Sequence, residues 1–286
     1  MRNIITGIAF IQCICGAFAQ EFFKDTNGKW GLKDASGKVI VTAKYDNLYN
    51  YTSPFSEGLA NVNIGAQKGK FGLLTGGKWG FVNTEGKEII PLKYDYARAF
   101  KGGFAAVRSD NTGKTDAFGG EILKWGFIDK TGKEVIPLKY DDVHDFSEEL
   151  AAVELNGKWG YIDKSGNEII PLKYDYVFSF SEGLAGIKKV SLRENDRWGF
   201  IDKTGKEVVP FKYDKVGYFS EGLASVAIGC SKYGFGGKHG FIDQSGREVI
   251  PLEYDGVFSS FKDGKVEVKK GDREFYIDKT GKEITK

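Results

Sequence analysis

An all-β tandem array of about seven small antiparallel units is the fold this sequence predicts, and three observations predict it. The phrase Lys-Trp-Gly-Phe-Ile-Asp-Lys-Thr-Gly-Lys-Glu-Val-Ile-Pro-Leu-Lys-Tyr-Asp at Lys124–Asp141 recurs along the chain. Its Trp-Gly pair starts at Trp30, Trp79, Trp125, Trp159 and Trp198, and two further copies carry His239-Gly240 and Phe275-Tyr276 in that place. Successive copies lie 49, 46, 34, 39, 41 and 36 residues apart, the range of repeat arrays in which each unit covers its neighbour's apolar face. Finally, the repeat is dense in β-branched and aromatic residues, with no apolar stripe at helical spacing.

The first residues precede the array. Met1-Arg2-Asn3 is a short positive start, Ile4 to Phe18 is apolar, and Ala17-Phe18-Ala19 has the small-x-small form of a cleavage site. A secretory signal peptide over residues 1–19 is expected, cleaved after Ala19 to leave Gln20 first. The apolar run is short for a bilayer span, and no later segment is apolar enough for one. The chain is therefore expected to be exported to the periplasm, the cell surface or the medium. Lipid attachment at Cys13 or Cys15 is the lesser alternative, because Gln12 and Ile14 are poor residues before a lipidated cysteine. Cleavage leaves Cys230 alone, with no intramolecular disulfide available.

Each unit reads as a hairpin plus a strand. Trp-Gly-Phe-Ile forms the first strand. Asp129-Lys130-Thr131-Gly132 then places Asp and Gly where a type I turn with a glycine bulge needs them, and Asp163–Gly166, Asp202–Gly205, Asp243–Gly246 and Asp278–Gly281 repeat it. The returning strand carries proline twelve residues after the Trp position, at Pro91, Pro137, Pro171, Pro210 and Pro251. Proline cannot donate to a ladder, so this strand is expected at an edge or bulged. Tyrosine follows at fifteen residues: Tyr45, Tyr94, Tyr140, Tyr174, Tyr213 and Tyr254. Phenylalanine follows at twenty-one in four copies, opening a Phe-Ser-Glu-Gly-Leu-Ala-like phrase that leads into a third strand. With a period of two, Trp125 and Phe127 share one face and Ile128 takes the other, while Ile136, Leu138 and Tyr140 share a face. The glycine after each Trp leaves room for a neighbouring ring or backbone.

Three strands per unit and uneven unit lengths favour an open superhelical array, with a closed β-propeller as the alternative. The array starts with a third-strand element at residues 21–28 and stops near a unit boundary, so no strand is expected to close a ring by exchange between the ends.

These residues resemble the WG-repeat family of bacterial proteins, over residues 21–286. The resemblance implies a β-rich repeat module, often exported, that acts as a scaffold or binding module and brings no catalytic residues. His239 and Phe275 depart from its pattern, in copies where capping tolerates loss of the Trp.

Composition narrows the function. A net charge of +2, from 41 basic and 39 acidic residues that alternate along the repeats, gives no electrostatic case for a nucleic-acid partner. The recurrent Asp residues sit where they cap turns rather than as an acid–base pair in a cleft. His144 and His239 stand in no triad order and no metal spacing. The loop Ser109–Asp116 lacks the full ligand series of a calcium loop, and Gly234-Phe235-Gly236-Gly237 lacks the strand-to-helix context of a phosphate loop. No cofactor, no metal and no turnover are expected. The tryptophans Trp30, Trp79, Trp125, Trp159 and Trp198, with Tyr94, Tyr140, Tyr174, Tyr213 and Tyr254, are expected to form the core ladder rather than a sugar-stacking surface. The insertions Ile64–Lys78, Arg108–Lys124, Ile187–Arg197 and Ile228–Lys238 break the repeat and are free to specialise. Their aromatics Phe71, Phe118, Tyr233 and Phe235 are the candidate contacts for a protein, peptide or glycan ligand. A hydrolase of envelope polysaccharide is the alternative class; it would need carboxylates or histidines gathered in one cleft.

Overall fold

The computed structural model describes residues 20–48, 55–69, 74–110, 113, 115, 122–190, 196–231 and 235–284. Among them there is no helix, and the strands form seven antiparallel sheets in chain order, none closed into a barrel. Sheet one spans residues 21–45, two 47–94, three 96–140, four 142–174, five 176–213, six 215–254 and seven 256–284. No strand of sheet one pairs with a strand of sheet seven among the described residues.

Sheet four shows the pattern. Its strands Asp142–Val143, Ala151–Leu155, Lys158–Ile162 and Glu168–Tyr174 pair in sequence order. Sheets three and five to seven also have four strands, against the three expected. The extra strand is a two-residue segment directly after the Tyr-Asp pair, too short to show a period of its own. Four-stranded meanders are also the format of propeller blades, so strand number does not separate the two architectures. Two of the expected insertions are largely strand. Leu59–Lys68 and Leu74–Asn83 are ten-residue partners, and Leu223–Cys230 pairs with Gly236–Asp243.

The turn of each third–fourth strand hairpin forms as its residues dictate. Asp129 Oδ1 accepts the Thr131 N–H and hydroxyl and the Lys133 N–H. The Thr131 hydroxyl, first among these donors, holds the Asp129 carboxyl below the usual carboxylate range. Gly132 follows with φ 82°. The returning strand is both an edge and bulged: Trp125 pairs Tyr140 while Phe127 pairs Ile136, so three residues around the proline face one glycine. Hence the Trp-Gly pair. A Cβ on Gly160 would lie 2.5 Å from the Ile170 carbonyl oxygen, so only glycine fits beneath the bulge. The bulge also corrects one expectation. Ile136 and Tyr140 pack toward sheet four, but Leu138 turns to the core shared with sheet two.

Six apolar cores result, one at each joint between consecutive sheets. Trp125 and Phe127 of sheet three meet Val143, Phe146 and Val153 of sheet four, while Ile128 faces back to Phe81 and Ile90. Trp79, Trp125 and Trp159 are buried, Trp30 and Trp198 half-buried, and Tyr94, Tyr140, Tyr174, Tyr213 and Tyr254 all buried.

Candidate functional site

Polar devices repeat at the joints, and they make the exception visible. Lys158 pairs with Asp175 at 2.6 Å, and the same link joins Lys29–Asp46, Lys78–Asp95, Lys124–Asp141, Arg197–Asp214 and Lys238–Asp255. The phrase Phe-Ser-Glu is a clamp between sheets. Ser56, Ser147, Ser181 and Ser220 donate through Oγ to the carbonyls of Phe100, Phe180, Phe219 and Phe261 in the next sheet, at 2.6–2.8 Å. The following Glu57, Glu148, Glu182 and Glu221 accept the N–H of Gly103, Gly183, Gly222 and Gly264. Three of them also hold a hairpin lysine of that sheet: Lys130, Lys203 and Lys279. Lys279, with Gly264 N–H in support, keeps the Glu221 carboxyl below its usual range. All four glutamates have φ of 50–53°, a left-handed backbone that suits glycine better. The clamp contacts are what hold them there.

Sheet three lacks this clamp toward sheet four. Lys101 and Gly102 stand where Ser and Glu stand elsewhere. With no glutamate offered across the joint, Lys164 pairs with Glu149 of its own sheet at 2.8 Å. Glu149 itself occupies the position that is glycine in sheets two, five and six, with φ 77°.

An aromatic spacer present at the two flanking joints is missing here, as it is at Asn47, Lys215 and Gly256 of the other joints. Tyr96 lies between Trp79 and Trp125, with ring centres 5.8 and 5.7 Å away. Tyr176 lies between Trp159 and Trp198 in the same way. The residue between Trp125 and Trp159 is Asp142. Next to it, the side chain that covers each Trp changes. Phe178 lies 4.8 Å from Trp198 and His144 4.9 Å from Trp159, but on Trp125 it is Arg98, 4.6 Å from the ring centre. Arg98 also donates to the Val143 carbonyl at 2.8 Å and approaches Asp142 and Asp145 at 3.6 and 3.5 Å. Arg108 lies over the same ring at 5.3 Å.

A groove of about 680 Å³ opens here, lined by Tyr96, Arg98, Arg108 and Trp125 from sheet three, by Asp141 at the link, and by Asp142, Asp145 and Glu154 from sheet four. Its size falls within the roughly 300–1,000 Å³ of small-ligand sites. Asp142 and Glu154 are directly opposed in register, an unfavourable placement for like charges. Burial, reinforced by Asp141 and Asp142, pushes the Glu154 carboxyl above its ordinary value.

The candidates from sequence are placed unevenly. Phe71, Phe118 and Tyr233 lie outside the described residues. Phe235 is 77% exposed beside the hairpin of sheet six, on a different sheet from the groove. Of the insertions, Arg108–Lys124 touches the groove through its stem, since Arg108 and Trp125 are cross-strand partners. The other groove residues were missed. Tyr96, Asp142 and Tyr176 share one repeat position, and Arg98, His144 and Phe178 another, but both columns vary from copy to copy. Among the described residues no group of three or more His, Cys, Asp or Glu could hold a metal ion. No helix among them is long and apolar enough to cross a membrane.

The WG containing repeat matches residues 30–68, 79–112, 125–159, 159–189, 198–231 and 240–273, six copies over most of the array. The chain belongs to the WG-repeat family. No curated protein matches it. Solved structures with a similar course of chain include a eukaryotic initiation factor, at 12% identity over 95% of this chain and 84% of that one, with a TM-score of 0.45. An acylaminoacyl peptidase of Pyrococcus horikoshii follows at 10%, 93% and 49%, with a TM-score of 0.41. TolB of Acinetobacter baumannii gives 11%, 93% and 78%, with a TM-score of 0.35. The family match accounts for the repeat core; the groove lies at a joint whose residues the repeat itself does not dictate.

Proposed function

We propose that this WG-repeat protein is an exported, non-catalytic binding scaffold whose groove between sheets three and four receives a protein, peptide or glycan at the cell envelope. One observation carries this reading. At one joint, between neighbours that keep both the clamp and a tyrosine spacer, the clamp is absent, and Asp142 and Arg98 take the spacer and Trp-cover positions on the wall of an open groove. A repeat held together by packing has no structural need of that exchange, and opposed carboxylates there oppose folding. Export follows from the signal-peptide pattern of residues 1–19, and the insertion Arg108–Lys124 adds contacts beside the groove. Of the carboxylates gathered in the groove, Asp141 is held by Lys124, and Asp142 and Asp145 by Arg98, which supports binding rather than turnover.

The test is a glycan array and an envelope-extract pull-down with the wild-type protein and an Arg98→Ala/Asp145→Ala variant. A partner captured by the first and lost by the second supports the proposal. Equal capture by both, or hydrolysis of envelope polysaccharide by the wild type, overturns it. Mass spectrometry of the exported protein should find Gln20 first; an acylated Cys13 or Cys15 would place the scaffold on a lipid anchor.

A further inference from the structure

The groove holds two charges without an ion-pair partner among the described residues. Arg108 lies against Trp125, and its Nε is buried with no hydrogen-bond partner. Its guanidinium makes no ion pair among the described residues. Glu154, on the facing wall, has no cation among the described residues either: Lys124 holds Asp141, while Arg98 serves Asp142 and Asp145. Arg108 and Glu154 occupy the same repeat position in successive sheets, opposite Trp125 and Trp159, and they do not reach each other. Both side chains are half-buried, and a charge partly withdrawn from water without a partner is unfavourable; here one of each sign borders one cavity.

Resting on the binding role proposed above, we infer that the groove takes a short peptide segment presenting a carboxylate to Arg108 and an ammonium group to Glu154 and Asp142. Other ligand types fit less well. A lone anion would satisfy Arg108 but face four carboxylates. A lone cation would leave Arg108 unsatisfied. A neutral sugar would answer neither charge, and Trp125, 6% exposed beneath two guanidinium groups, offers it no stacking surface. A ligand with both charges makes two charge-assisted contacts, and the groove's volume suits a few residues. The charges could come from chain ends or from side chains, and the probes below separate the two.

Calorimetric titration of the purified chain with Ala-Ala, with its N-acetylated and C-amidated forms, and with end-blocked Lys-Glu tests this. Binding by Ala-Ala or by blocked Lys-Glu, each losing at least about tenfold in Arg108→Gln and in Glu154→Gln, is the expected result. Arg108→Lys should recover part of the loss, and cooperative melting of every variant at or above the wild-type temperature would exclude misfolding. Preference for Ala-Ala assigns the chain ends as the source, and preference for blocked Lys-Glu the side chains. Three outcomes overturn the inference: no binding by either charged probe, equal binding by the singly blocked dipeptides, or binding unchanged in both groove variants. A larger partner still captured by the Arg108→Gln/Glu154→Gln protein would leave the scaffold role standing while the peptide inference falls.

Discussion

The joint between sheets four and five and the joint between sheets three and four are built from the same repeat to different ends. The first has Ser147 and Glu148 clamped onto sheet five, with Tyr176 carrying the aromatic contact from Trp159 to Trp198. The second has neither device, and charged side chains surround its tryptophan. Both keep the apolar core, with Val143, Phe146, Val177 and Phe180 all buried. Burial therefore supplies cohesion at either joint, while the polar contacts decide whether the rim is sealed or open. A repeat array suits this division, since each joint is stabilised mainly by its two neighbours and one can be altered locally.

The largest expected effect probes the sealed joint. Trp159→Ala should lower stability by about 3–5 kcal/mol, the cost of deleting a large buried aromatic. Half-buried Trp30, at the end of the array, should cost less. Calorimetric unfolding of both variants checks this. An unchanged melting temperature for Trp159→Ala would show that the aromatic ladder is not what holds the joint.

The clamp comes next. Ser181→Ala removes one hydrogen bond to the Phe219 carbonyl and should cost about 1 kcal/mol. The reverse change sharpens the comparison. Lys101→Ser/Gly102→Glu writes the clamp into the open joint, and Gly102, with φ 63°, is already close to the 50–53° of the clamp glutamates. This variant should melt higher than wild type. If it melts lower, the open joint has a geometry that the clamp cannot bridge.

The sequence made the inside of each unit legible and left the joints largely unread. Asp129 and Gly132 specify a turn through contacts within four residues, and Pro137 announces its bulge because its ring bars a ladder bond. Such rules are local, so one copy suffices to read them. Asp142–Val143 escaped because two residues carry no periodicity, and Leu138 was misassigned because the bulge shifts the alternation by which faces are read. The Ser147–Phe180 bond joins residues 33 apart, and nothing in either segment names the other. Arg98 and Asp142 sit in repeat columns that vary from copy to copy, so neither stands out in the sequence. Only the fold shows that both columns face one groove.

A smaller effect tests whether the groove opposes stability. Burial and the neighbouring Asp141 and Asp142 raise the Glu154 carboxyl above its ordinary 4.5. For a raised acid, stability is fully present below the ordinary value and lost as pH rises through the folded value. Glu154→Gln should therefore melt slightly above wild type at neutral pH, with the advantage vanishing below pH 4.5. An advantage that persisted in acid would point to packing instead of charge.

The smallest effect lies on the sealed side, at His144. Burial lowers its pKa below the ordinary 6.5; Arg98 adds to that, while Asp142 and Asp145 oppose it. A depressed histidine binds its proton more weakly folded than unfolded. Its contribution is therefore present above pH 6.5 and lost as pH falls from there through the folded value. The equivalent residue over Trp198 is Phe178, which carries no proton. His144→Phe should accordingly flatten the fall in melting temperature just below pH 6.5 while keeping a ring against Trp159. Melting curves of both proteins across that window decide the matter. An identical slope would mean that Asp142 and Asp145 compensate the buried imidazole fully, and that the groove's acids stabilise their sealed neighbour as well as opening the joint beside it.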